Sequence, residues 1–246
     1  MNYRPSSFSH LPDVVKNLLI INCLFFLATI TLDSMGFDMY RYFGLHQLQS
    51  PNFKPHQLVS HIFMHGNFTH LLFNMFALWM FGKVLENVWG SKKFLIYYMI
   101  TGLGAAIIHL GISQFEIKNL ISDLDIQEID MILNDGANIL AGGQNYSNYL
   151  IGKINLLVHT PTVGASGAVF GVLLAFGMLF PNALLYIYFA FPIKAKYFVI
   201  IYGLLELYAG ISNNPADNVA HFAHLGGMIF GFILIKYWEK KSNNFY

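Results

Sequence analysis

Charge is what this sequence has least of. Lys, Arg, Asp and Glu together make up 11% of its 246 residues, where an ordinary soluble domain carries about 25%. A chain this long could not cover a water-facing surface with so few polar groups. The 55% hydrophobic content and the mean hydropathy of +0.49 therefore point to an integral membrane protein. The net charge is only +1, which offers nothing to nucleic acid or another polyanion. A single cysteine, Cys23, lies in an apolar run; it excludes an internal disulfide framework and reads as a packing residue. No internal repeat is visible, against the duplicated halves of many transporters. No stretch is long enough for a separate soluble domain.

What the sequence does have is six apolar segments, at roughly 14–32, 68–88, 94–112, 165–181, 196–211 and 221–238. Each is near the ~20 residues that cross a bilayer. The expected fold is an all-α integral membrane protein, one domain over 1–246 with six transmembrane helices. A mixed, aromatic loop covers 33–67, and a long polar insert at about 113–160 separates helices three and four. The first segment follows a short polar N-terminus with no small-residue cleavage site, so it reads as a retained helix. With both termini placed in the cytoplasm, ten of the 14 Lys and Arg residues fall inside and only Arg41, Lys54, Lys118 and Lys153 fall outside. That asymmetry supports this orientation. The expected location is a bacterial inner membrane, spanned several times.

Polar side chains inside apolar segments are expensive and usually functional. The stretch HIFMHGNFTHLLFN holds His61, His65, His70 and Asn74, with His70 and Asn74 one helical turn apart. AHFAHLGGMIFG places His221 and His224 at the start of the last helix, and PTVGASGAVFG places Ser166 among glycines at the start of the fourth. Helices two, four and six share one end of the membrane, so these groups can converge. Three readings compete. Ser166 and its glycines suit close helix packing, and the histidines suit interhelical hydrogen bonds. The pairs His61/His65 and His221/His224 have metal-ligand spacing, although no Glu accompanies either pair as in HExxH. The third reading is a serine hydrolase, with a histidine base and oxyanion donors.

The combination of HxxxN (His70, Asn74), GASG (Gly164–Gly167) and AHxxGxxxG (Ala223, His224, Gly227, Gly231), in order on helices two, four and six, resembles the rhomboid family of intramembrane serine proteases. The likeness runs from about 56 to 235. It implies a rhomboid-like bundle in which Ser166 is the nucleophile and His224 its base, because only His224 satisfies AHxxGxxxG. His70 and Asn74, with the Ser166 backbone N–H, would hold the oxyanion. Phe170, where relatives often carry Tyr, would lie against the imidazole, with packing rather than a carboxylate holding that ring. His221 and His65 would line the cavity. Substrates would be membrane-protein segments whose helix unwinds easily, cleaved without cofactor or metal. The alternatives are a His-rich membrane metalloenzyme and a non-catalytic binder of membrane proteins. His56-Gln57 replaces a Trp-Arg common in the family, so the loop before helix two is expected to be held differently. Glu206 sits alone in helix five; the expectation is a hydrogen bond across to helix two or its preceding loop, closing a gate. Glu86 reads as structural. The sequons at Asn67 and Asn145 are too common to place the protein in a secretory pathway.

Overall fold

The computed structural model describes residues 11–187, 191–212 and 219–241. The first helix, α1 (Asp13–Asp33), starts after Pro12 with no side-chain cap of its own. Its first free N–H groups are instead met by a residue far away in sequence. Val14 donates to Glu86 Oε1 at 2.9 Å and Val15 to Glu86 Oε2 at 2.8 Å, while the Ser91 hydroxyl donates to Oε1 at 2.7 Å. Glu86 is buried, so its cost is offset by three donors, two of them orphaned by the helix start.

The loop that follows carries two short helices, α2 (Met39–Phe43) and α3 (Gln57–Ser60). The fully buried Gln57 amide holds it together. Its nitrogen donates to the carbonyls of Arg41, Tyr42 and Asn52, and its oxygen accepts from the backbone of His46 and Lys54. His56 reaches the Tyr42 carbonyl at 2.8 Å. This is how His56-Gln57 braces the loop without a Trp-Arg pair at that position.

Asn67 caps α4 (Phe68–Ala77) by accepting from the His70 N–H at 2.8 Å. One wide π-turn, Leu78–Gly82, joins α4 to α5 (Lys83–Trp89), so the second apolar segment is one 22-residue helix with a bulge. Gly90, at φ 78°, ends it in a conformation that favours glycine. Next come α6 (Ser91–Ile121), α7 (Ile126–Ala141), α8 (Tyr149–His159), α9 (Ser166–Leu179), α10 (Ala195–Ser212) and α11 (His221–Lys241). An antiparallel hairpin, β1 (Leu184–Ile187) with β2 (Phe191–Lys194), links α9 to α10.

Buried α9 is the centre, packed against α6, α10 and α11. Glycine makes that packing possible. A Cβ on Gly227 of α11 would overlap the Gly167 carbonyl of α9, and a Cβ on Gly231 would overlap the Tyr97 hydroxyl. That hydroxyl fills the gap and donates to the Gly171 carbonyl at 2.8 Å. By contrast α10 turns Ile200, Leu204, Leu205, Tyr208 and Ile211 outward. Such a face is sustainable only against lipid or a partner.

Among the described residues, four helices are long and apolar enough to cross a membrane: Asp13–Asp33, Phe68–Trp89, Ser91–Ile121 and Ala195–Ser212. The fourth sequence segment forms a helix of only 14 residues. Segment 113–160 is not a bare polar loop. Its first part prolongs α6, and α7 and α8 pack a small core of Ile117, Ile132, Ile151, Ile154 and Val158. The acidic Asp125 and Glu128 form the capping box that starts α7. The hairpin is the one sheet among the described residues, and an isolated antiparallel bridge pairs Leu45 with Thr162. The ends, 1–10 and 242–246, lie outside these residues.

Candidate active site

Ser166 is the first residue of α9, and the chain reaches it through Gly164, whose φ of 131° is open only to glycine. A Cβ at Gly164 would press on the His70 ring and come within 3.5 Å of Ser166 Oγ. His70 and Ser166 therefore flank the same bare backbone. Gly164 is held there by donating to the His61 carbonyl at 2.9 Å, and Thr162 by pairing with Leu45.

From α11, His224 brings its Nε2 to 2.8 Å from Ser166 Oγ. The face of its ring stacks on Phe170, one turn into α9, with centroids 4.1 Å apart and planes at 6°. Phe170 leans in turn on Tyr202 of α10. The other ring nitrogen, Nδ1, donates to Glu206 Oε2 at 2.8 Å, and His221 Nδ1 meets the same oxygen at 2.6 Å. Glu206 and His224 are both buried. A carboxylate only accepts, so this contact puts the proton of His224 on Nδ1 and leaves Nε2 to receive one from serine.

Asn74, one turn after His70 on α4, donates to the His70 carbonyl at 2.9 Å. His65 is fully buried behind His70, edge to face at 5.1 Å. It lies outside the cavity wall. Burial holds His61 and His65, both ahead of α4, neutral, their pKa values pushed down to about 4. A cavity of about 2280 Å³ opens over Ser166, lined by His70, Asn74, Phe170, Glu206, His221 and His224 among others. Tyr146 and Lys153 of the 113–160 segment also reach its wall.

A family model of the rhomboid domain matches residues 52–122 and 129–240. The chain belongs to the rhomboid family. Rhomboid protein 1, mitochondrial, of Saccharomyces cerevisiae is 26% identical over 183 residues, covering 74% of this chain and 42% of that protein. Rhomboid protease AarA of Providencia stuartii is 29% identical over 175 residues, covering 70% of this chain and 51% of its own length. Rhomboid protease GluP of Bacillus subtilis is 26% identical over 182 residues, 72% of this chain and 24% of that one. The chain thus spans about half or less of the length of these relatives. Their names range over mitochondria and bacteria, so membership makes this rhomboid an integral membrane protein without choosing its membrane.

Besides that of His65 on the cavity wall, three expectations about this rhomboid are corrected. Glu206 does not reach helix two or its preceding loop; it turns to His221 and His224 on the neighbouring α11. The imidazole is accordingly held by a carboxylate as well as by packing, and the pair His221/His224 does have an accompanying Glu. The residue that sequence reasoning passed over entirely is His109 of α6, whose Nε2 lies 2.7 Å from the Thr162 hydroxyl beside the Ser166 loop. It stands alone in its segment, and no local pattern marks it.

Proposed function

We propose that this protein is an intramembrane serine endopeptidase that cleaves other membrane proteins within or beside their transmembrane helices. The observation that carries the reading is the 2.8 Å approach of His224 Nε2 to Ser166 Oγ inside an open cavity. A serine hydroxyl is unreactive until such a base takes its proton. Ser166 Oγ attacks the scissile carbonyl as its proton passes to His224 Nε2. The oxyanion forms beside His70, Asn74 and the Ser166 backbone N–H, which belongs to the unpaired first turn of α9. His224 then gives the proton to the departing amine, leaving an acyl-enzyme. Water, deprotonated by the same nitrogen, releases the new carboxyl end and restores serine.

Six crossing helices with both ends cytoplasmic complete the proposal. A helix of 14 residues spans about 21 Å, less than the ~30 Å hydrocarbon layer. Ser166, at its start, would therefore lie below the membrane surface, reached through the cavity. Substrate helices must unwind there, because a hydrogen-bonded helix hides its carbonyls. No cofactor enters this scheme. The competing metal reading has one support, the convergence of Glu206, His221 and His224 within 4.8 Å. Nitrogens and oxygens bound tetrahedrally to one zinc lie roughly 3.3 Å apart, whereas Glu206 Oε2 is 2.6 and 2.8 Å from its two imidazoles. Those are hydrogen-bond lengths.

The test is to incubate purified protein with a single-pass reporter whose transmembrane helix carries a Gly-Pro interruption, beside Ser166→Ala. Cleavage by the unsubstituted protein alone supports the reading. Equal cleavage by Ser166→Ala, or cleavage abolished by a chelator, overturns it.

A further inference from the structure

We propose that Glu206 is a positioning residue for the reaction, so that the site works as Ser166–His224–Glu206 and not as a serine–histidine pair alone. The inference rests on the serine-peptidase reading of Ser166. Its starting point is an anomaly of α10. That helix exposes the residues on either side, Leu205 and Leu207, at 56% and 41%, yet keeps one carboxylate at 6% exposure. A charged group in an otherwise apolar membrane helix is retained only where it has a partner and usually a task.

The partners are specific. One oxygen, Oε2, receives both Nδ1 of His224 at 2.8 Å and Nδ1 of His221 at 2.6 Å. The first bond does for His224 what a base needs. It fixes the tautomer with Nε2 free toward Ser166, it sets the ring's rotation, and it places a negative charge beside the imidazolium formed when serine is deprotonated. The second bond prevents the carboxylate from swinging away. Tyr202, one turn earlier on the same face of α10, presses on Phe170, which stacks on the face of His224. One strip of α10 thus steadies the imidazole twice, through its flat face and through its Nδ1 edge.

A purely structural tie between α10 and α11 would use the same hydrogen bonds, so the test must separate the two roles. Glu206→Gln keeps the shape but removes the charge and can offer its own N–H to Nδ1, favouring the wrong tautomer. Measured per folded, detergent-solubilised molecule, kcat for a transmembrane reporter should fall at least about 10²-fold, toward the roughly 10⁴-fold seen when a triad carboxylate is lost. KM should stay within about threefold, and fluorophosphonate labelling of Ser166, in which Oγ displaces fluoride from phosphorus, should slow in parallel with kcat. Glu206→Asp, which keeps the charge, should recover part of the loss. His221→Ala should cost less than about tenfold, since it bonds the carboxylate of Glu206 rather than the serine itself.

A folded Glu206→Gln with undiminished kcat and probe labelling overturns the proposal, as does a loss confined to thermal stability. Should that variant not fold, proton and nitrogen NMR of the histidine-labelled native protein decides. A far-downfield Nδ1 proton on His224 supports the assignment, and an Nδ1 without a proton overturns it. If the unsubstituted protein neither cleaves nor labels at Ser166, it is the peptidase reading that fails, a result distinct from an unaffected Glu206→Gln.

Discussion

Gly227 of α11 lies so close to Gly167 of α9 that a methyl group on it would overlap the Gly167 carbonyl oxygen. These two glycines, one three residues after His224 and the other immediately after Ser166, set the distance between the two side chains. Gly227→Ala should push α11 away from α9. Overpacking of this kind costs about 1–3 kcal/mol, so the melting temperature should fall by several degrees. Turnover should fall further than stability accounts for, because the 2.8 Å contact is lost with the spacing. Thermal unfolding and reporter cleavage measured on the same preparation check this; full activity with an unchanged melting point would contradict it.

Phe170 and His224 stack face to face, and such pairs are worth about 0.5–1.5 kcal/mol beyond burial. Phe170→Leu should therefore lower kcat by roughly 3–10-fold with KM little changed. Phe170→Tyr keeps the ring and should stay close to the unsubstituted rate. Steady-state kinetics of the two variants decide the matter. Equal losses in both would mean that volume, not the aromatic face, is what the site requires.

Glu86 separates stability from chemistry. Glu86→Ala would strand the N–H groups of Val14 and Val15 at the start of α1 together with the Ser91 hydroxyl. The expected cost is roughly 2–4 kcal/mol, read as a lower melting temperature. The molecules that remain folded should cleave at the normal kcat, since Glu86 belongs to α5 and the proposed oxyanion residues His70 and Asn74 to α4. A reduced kcat per folded molecule would tie this end of the protein to the site.

Much of the candidate site's geometry was legible because its signals are local. His70 and Asn74 share one helical face, Ser166 begins the GASG helix, and Gly227 and Gly231 follow His224 at helical spacing; each can be read within a dozen residues. Glu206 could not be read this way. Its partners stand 15 and 18 residues later on another helix, and only the antiparallel pairing of α10 with α11 brings them level. Gln57 was opaque for a similar reason, since its five backbone partners are scattered from Arg41 to Lys54. The hairpin at 184–194 hides in an apolar, aromatic run with no clear period. The start of α7, inside the expected polar insert, does carry a local signal, the D-x-x-E of Asp125 to Glu128.

The central claim is that Ser166 is a nucleophile activated by His224, and covalent capture tests it most directly. Detergent-solubilised protein is treated with a fluorophosphonate probe, and the adduct is located by peptide mass spectrometry. One adduct on Ser166 is expected, absent in Ser166→Ala, nearly absent in His224→Ala because nucleophile and base act as a unit, and indifferent to chelator. A folded protein that takes no adduct at Ser166, or one whose turnover vanishes in chelator and returns with zinc, would contradict the account.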